Sequence, residues 1–306
     1  MSGQPRRTPP RAYSRARIAK QQAAWRGVPP FLIIDDRPSF AQTMQPLALA
    51  PADTFSSVRF LLTDMDETLT HRGRLAAQTY AALERLQTRG IRVIPVTAAP
   101  AGWCDQMARM WPVDGVIAEN GGLFIRRGAD GHGAERRYWH ADDALDDARD
   151  ALRRIAQHVG KAVPAARHAD DQDFRLTSLA YARGGGDHDQ RILDALIEAG
   201  ADATINNLWV IGWVGGYDKL SMSLRVLADT FGVDAGAAPG CVAYSGDSTN
   251  DAPMFGHFAH TAGMSTVVEY LPQLPALPRW ITQGPGGSGF VEFADAILRA
   301  HPGDRG

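Results

Sequence analysis

Residues 58–70 read VRFLLTDMDETLT, and the fold follows from how that stretch divides. Val58, Phe60, Leu61 and Leu62 make a nearly unbroken apolar run, the pattern of a strand covered on both faces, and the run ends on two acids, Asp64 and Asp66. Strands buried on both sides belong to parallel α/β sheets, where ligands bind beyond the C-terminal strand ends. Two carboxylates at that place repel each other and are costly to desolvate, so they need either water or a cation. A solvated turn in which Thr68 caps a following helix meets the first need; a hard divalent ion meets the second.

Three later segments bear on that choice. Residues 93–97, VIPVT, repeat the buried-strand pattern and end on a hydroxyl at Thr97. Lys219 follows Tyr217 and Asp218 at the start of a helical stretch, a poor place for a cation unless it faces carboxylates. Residues 241–251 read CVAYSGDSTND, a third buried strand running into acids. In chain order, DxDxT (Asp64, Asp66, Thr68), the strand-terminal Thr97, Lys219 and GDSxND (Gly246, Asp247, Ser248, Asn250, Asp251) resemble the four signatures of the haloacid dehalogenase (HAD) superfamily of phosphohydrolases.

The resemblance spans about residues 55–300. It implies a Rossmann-like, doubly wound parallel sheet core with an inserted α+β cap of the type IIB kind. It also implies a Mg²⁺-dependent phosphatase working through an aspartyl-phosphate. Asp64 would be the nucleophile, and Asp66 would protonate the leaving alcohol and then activate water. The metal would take Asp64, the Asp66 carbonyl and Asp247, with Asp251 holding a ligand water or pairing with Lys219. Thr97 and the backbone N–H of Ala98 would hold phosphoryl oxygens, Lys219 would offset their charge, and Thr68, Ser248 and Asn250 would support the arrangement. The implied substrate is a small phosphorylated metabolite, a sugar phosphate or a glycosyl phosphoglycerate.

The bulk numbers set the outer bounds. The chain has 306 residues, enough for two cores, and a net charge of −2 that is unevenly spread. Residues 1–30 carry seven basic side chains and no acid, so everything beyond them is acidic and a poor nucleic-acid surface. Two cysteines, Cys104 and Cys241, form no CxxC pair and read as thiols of a reducing, cytoplasmic compartment. No apolar run approaches a membrane span, and the cluster at 31–34 is too short for a secretory signal. Residues 1–50 are therefore expected to be a basic, disordered extension.

Beyond the first strand, 74–89 has a helical stripe ending at Gly90, and 91–96 completes a βαβ unit. The expected division is core over 55–123, cap over 124–216 and core again over 217–303. Within the cap, strands at 136–140, 175–181 and 203–214 alternate with helices at 144–159 and 189–199. Their alternating polarity predicts a sheet with one open face, and Arg175, Arg183, Trp209 and Trp213 are its candidate specificity residues. The Gly-rich run 284–289 lacks a nucleotide-binding context and reads as a linker.

Two features depart from the family pattern. Ala98-Ala99-Pro100 follows Thr97 where an arginine is common, and Glu67 stands where the family usually has glycine, adding a third acid near the metal. Two other readings stay open: a phosphomutase on the same fold, and a non-catalytic HAD scaffold that binds nucleic acid through its basic tail. The oligomeric state is not encoded in any of these patterns.

Overall fold

The computed structural model describes residues 44–301 apart from 132 and 207. Most of the expected basic extension, residues 1–43 including the apolar cluster at 31–34, lies outside the described residues. Its last part does not: β1 (Gln45–Pro46) joins the edge of the central sheet, and Leu47 is buried. The extension expected over 1–50 is thus part of the fold from residue 45 on.

The central sheet has six parallel strands in the order β1, β14 (Trp280–Ile281), β13 (His260–Gly263), β12 (Val242–Gly246), β2 (Phe60–Thr63) and β5 (Arg92–Pro95). Alternate residues feed two cores. Leu61, Val93 and Ala243 pack with α1 (Ala77–Thr88), α2 (Ala101–Met110) and α8 (Gly286–Ala300). Phe60, Leu62, Ile94 and Tyr244 pack with α5 (Lys219–Phe231) and α7 (Ala252–His257) on the other side. Each fully buried aliphatic side chain of this kind contributes roughly 1.5–3 kcal/mol. With both faces covered, the continuous apolar pattern of β2 follows, and the fold is the doubly wound one expected.

A tight hairpin, β3 (Thr70–His71) and β4 (Arg74–Leu75), fills the short space between Asp66 and α1. Leu75, expected in the helix, lies in this hairpin. The glycines near the C-terminus do not form a linker. Gly286–Gly289 make the first turn of α8, where a Cβ on Gly287 would sit 2.2 Å from Thr79 Oγ1 and 2.8 Å from the Leu69 carbonyl oxygen. Only glycine lets this helix approach α1 and the hairpin so closely.

The cap is expected to begin at residue 124. The strand assigned to its start, β8 (Ala134–Tyr138), pairs with β7 (Leu123–Arg127), which pairs with β6 (Val116–Ala118) beside the core. A separate layer then follows: α3 (Asp142–Ala162), β9 (Ser178–Ala182), α4 (Gly186–Glu198), β10 (Asp202–Ile205) and β11 (Trp209–Trp213). Its antiparallel sheet, ordered β10-β11-β9, has two unlike faces. Leu179, Tyr181 and Val210 pack under the helices with Ile155, Val159, Ile192 and Leu196. Ala180, Ile211 and Trp213 point the opposite way and pack on Ala98 and Tyr217 of the core. Among the described residues no helix is long and apolar enough to cross a membrane.

Candidate active site

The parallel strands β2 and β12 carry the acids to one place. Their ladder pairs Thr63 with Ser245, and the Asp64 amide donates to the Ser245 carbonyl at 2.8 Å, so Asp64 and Asp247 leave the sheet side by side. Asp64, Asp247 and Asp251 are buried, and one oxygen from each lies within 4.8 Å of the others. Lys219, first residue of α5 and only 3% exposed, donates from Nζ to Asp64 Oδ1 at 2.7 Å and to Asp251 Oδ1 at 2.9 Å. Asp218 caps the helix by accepting from the Ser221 amide at 2.7 Å, which fixes where α5 starts and hence where Lys219 stands.

Asp251 is saturated. Its Oδ1 also accepts from the Tyr244 hydroxyl at 2.6 Å, and its Oδ2 accepts from the amides of Asp247 and Ser248, each at 3.0 Å. It is built to hold Lys219 and the 246–248 turn, so the arrangement matches pairing with Lys219 rather than direct metal ligation. Asp247 is the opposite case: its only side-chain donor among the described residues is Thr68 Oγ1 at 3.3 Å. The Ser248 hydroxyl donates to Asn250 Oδ1 at 2.6 Å, so both residues brace the same turn.

The electrostatics follow from this geometry. Burial lifts the Asp64 carboxyl to about 7 against the pull of Lys219, with Asp251 and Asp66 adding repulsion. Burial, then repulsion by Asp64 and Asp251, lifts Asp247 to about 9. Asp66 is raised above the usual carboxylate range, chiefly by burial. Burial opposes the charge on Lys219, but the facing Asp251 and Asp64 hold its ammonium above the ordinary lysine value. Crowding of three buried carboxylates round one ammonium is relieved by taking up protons or a divalent cation, and the oxygen donors suit Mg²⁺.

Thr97 is fully buried at the end of β5, its Oγ1 accepting from the Ala99 amide at 3.0 Å. Ala98 lies under the cap, and its carbonyl accepts from Arg175 Nη1 at 3.0 Å. Arg175 is thus buried and engaged: it forms a two-pronged pair with Asp171 at 3.0 and 2.8 Å and also reaches Ser178 Oγ at 3.2 Å. Arg183 does not belong to the site. It is exposed and tied to Asp189 at 2.5 Å and to the Asn206 carbonyl at the far side of the cap. Trp213 donates from Nε1 to the Tyr217 carbonyl at 2.9 Å and stacks on that ring, while Trp209 packs at the edge of the same face.

Glu67 is engaged by the hairpin, and its charge still adds to the rise of Asp66. It holds φ +56°, a left-handed conformation that accounts for glycine being usual there, and its carboxylate accepts from the Arg72 amide at 2.7 Å and meets His71 Nδ1 at 3.1 Å. It anchors the β3–β4 hairpin. Sequence reasoning passed over Glu119, which stands in the turn after β6 with its carboxylate buried between core and cap. An acid beside Asn-Gly-Gly was the one available signal.

The site is thus a lysine-bridged acidic cluster at the strand ends of an open α/β sheet, beneath a cap. No family model matches the chain. It is 27% identical over 243 residues to a phosphoglycolate phosphatase of Pyrobaculum neutrophilum, covering 78% of this chain and 96% of that one. A solved structure from Thermoplasma acidophilum superposes with a TM-score of 0.63 at 14% identity, covering 79% of this chain and 99% of that one. A haloacid dehalogenase-like hydrolase from Bacteroides thetaiotaomicron gives 0.53 at 17% identity, over 79% and 99% of the two chains. The fold is that of the haloacid dehalogenase-like hydrolases.

Proposed function

We propose that this chain is a divalent-metal-dependent phosphatase that hydrolyses a small phosphate monoester through a covalent phosphate on Asp64. The observation that carries this reading is the placement of Lys219 between Asp64 and Asp251 while Asp247 faces them without a cation. A bound Mg²⁺, held by Asp64 and Asp247, would supply the missing positive charge where negative charge builds up.

The remaining steps belong to the protein. An Asp64 oxygen attacks phosphorus in line as the ester oxygen leaves, and Lys219 screens the approach of two anions. Asp66, kept protonated more readily by burial, gives its proton to the leaving alkoxide. It then takes a proton from the water that attacks phosphorus, releasing inorganic phosphate and regenerating Asp64. Thr97, Ala98 and the Ser248–Asn250 turn frame the space for the phosphoryl oxygens.

The cap closes over this space with small and aromatic residues, which suits a compact organic phosphate and not a phosphoprotein. The substrate class we assign is a small phosphorylated acid or sugar, in keeping with the related phosphoglycolate phosphatase. The reducing cytoplasm suits its two buried thiols. The test is phosphate release from a panel of such esters, with and without Mg²⁺, for the native chain and Asp64→Asn. Metal-dependent release that the variant loses by about a thousandfold or more supports the reading. Equal release by the variant, or accumulation of a bisphosphate in place of free phosphate, sinks it.

A further inference from the structure

Most of the groups that would do the chemistry are shut in: Asp64 is 6% exposed, Asp247 2% and Thr97 0%, with Asp66 half-buried. A phosphate ester reaches them only if the cap moves. The chain crosses between core and cap at His140 and at Gly215–Gly216, whose φ values of +111° and +66° suit a hinge. What holds the cap down is therefore part of the catalytic cycle.

The turn at 119–122 meets the Thr97 loop, the start of the Lys219 helix and the cap. Its amides at Glu119 and Asn120 donate to the carbonyls of Ala99 and Thr97 at 3.1 and 3.0 Å. Gly121 lies so close to Asp218, the cap of the Lys219 helix, that a Cβ would come within 2.5 Å of its carbonyl oxygen. A Cβ on Gly122 would stand 2.0 Å from Thr177 Oγ1 in the cap. Glu119 and Asn120 both hold positive φ, at 51° and 58°, a strained choice for a glutamate that the surroundings must enforce.

The Glu119 carboxylate, in a residue 1% exposed, joins the two sides. From the core, Oε1 accepts the amide of Ala101, just past the Thr97 loop, at 3.0 Å. From the cap, Oε1 accepts the Leu176 amide at 2.8 Å, and Oε2 accepts the Thr177 amide and hydroxyl and the Ser178 hydroxyl at 2.9, 3.0 and 2.7 Å. None of these donors is a cation. When the cap lifts, the carboxylate loses the four cap donors together and meets water; when it closes, they return together with the Arg175 contact to Ala98. Such an arrangement has two discrete states.

We propose that Glu119 is a positioning residue that couples cap closure to the setting of the Thr97–Ala101 loop. Closure of the cap completes its ring of donors and clamps the loop that would face the phosphoryl group. The inference rests on the phosphatase reading for its catalytic meaning, but the clamp itself is measurable without turnover.

The test compares the native full-length chain with Glu119→Gln and with Thr177→Val/Ser178→Ala, which removes two cap hydroxyls, that of Ser178 being also an acceptor for Arg175, so Thr177→Val alone is measured beside it. Amide hydrogen exchange over 97–101 and 175–178 is measured with and without Mg²⁺ and beryllium fluoride, alongside kcat and KM below the melting range of each protein. We expect exchange in both segments to rise about tenfold in Glu119→Gln, and kcat to fall about ten- to a hundredfold with a smaller change in KM. The double cap variant shows the same pattern more weakly, and combining it with Glu119→Gln adds little. A lower melting temperature with native kcat and native exchange at 97–101 would assign Glu119 to the fold alone and overturn the proposal. Should Glu119→Gln fail to fold, the cap variant decides: exchange rising at 175–178 and not at 97–101 overturns the coupling. If the native chain releases no phosphate, the exchange result stands by itself, and the phosphatase reading fails separately.

Discussion

Two buried acidic clusters lie on either side of Ala98, and they are finished to different degrees. At the cap seam, Glu119 has a donor for every lobe of its carboxylate, and Asp171 is matched by the guanidinium of Arg175. At the strand ends, Asp64, Asp247 and Asp251 share the single ammonium of Lys219. Burial of unpaired charge is costly, so the first cluster is a completed structural joint, and we propose that the second takes a cation. On this proposal the difference separates residues that hold the molecule together from residues that bind a ligand.

The largest effect expected from breaking this comparison is at Lys219. Lys219→Met leaves the acids without any buried cation and should cost about 3–5 kcal/mol in denaturant unfolding without metal. Mg²⁺ should restore part of that loss. Arg175→Met should cost somewhat less, about 3 kcal/mol, by stranding Asp171, and Mg²⁺ should restore none of it because the seam has no place for the ion. Equal rescue of both variants would erase the distinction between the clusters.

A third test uses pH. Asp64 and Asp247 rise in the folded chain from 3.8 to about 7 and about 9, so between those values the folded state binds more protons than the unfolded state. Stability of the metal-free protein should be greatest below pH 4 from these groups and fall as pH rises toward 9. The stabilisation by Mg²⁺ should grow over the same window, read as the difference in melting temperature with and without the ion. A metal-free melting temperature that rises with pH from 5 to 8 would contradict it.

The smallest effect is expected at Glu67. Glu67→Gly relieves the positive φ but gives up the contacts to Arg72 and His71, and the two should cancel to within about 1 kcal/mol with turnover nearly unchanged. A large gain in turnover would mean that the Glu67 charge reaches the metal site after all.

The contrast also explains what the sequence disclosed. Asp64 and Asp247 stand at the ends of β2 and β12, whose unbroken apolar runs announce strands covered on both faces, and Lys219 was conspicuous as a cation at a helix start. Both signals are local, so the doubly wound core and its acids were legible together. Glu119 was not, because ENGG reads as a turn and its partners, Leu176 to Ser178, come 57 to 59 positions later. Arg175 looked like a residue of an open sheet face for the same reason: its partners Asp171 and Ala98 become visible only when the cap is folded down. The Gly-rich run 284–289 reads as a linker in the sequence because a glycine's need for closeness depends on the neighbour, here Thr79 and Leu69 for Gly287. The pairing of 134–138 with β7 has a similar origin, since nothing local in that strand announces it.

The central claim is that Asp64 sits in an acidic cluster awaiting a divalent cation and a phosphoryl group. The most direct measurement is the melting temperature of the native chain and of Asp64→Asn with Mg²⁺ alone, beryllium fluoride alone, and both. The account predicts a modest rise with Mg²⁺, a larger rise with both that requires both, and no added effect of beryllium fluoride in Asp64→Asn. A rise of equal size in the variant, or no response of the native chain to Mg²⁺ with or without beryllium fluoride, would contradict it.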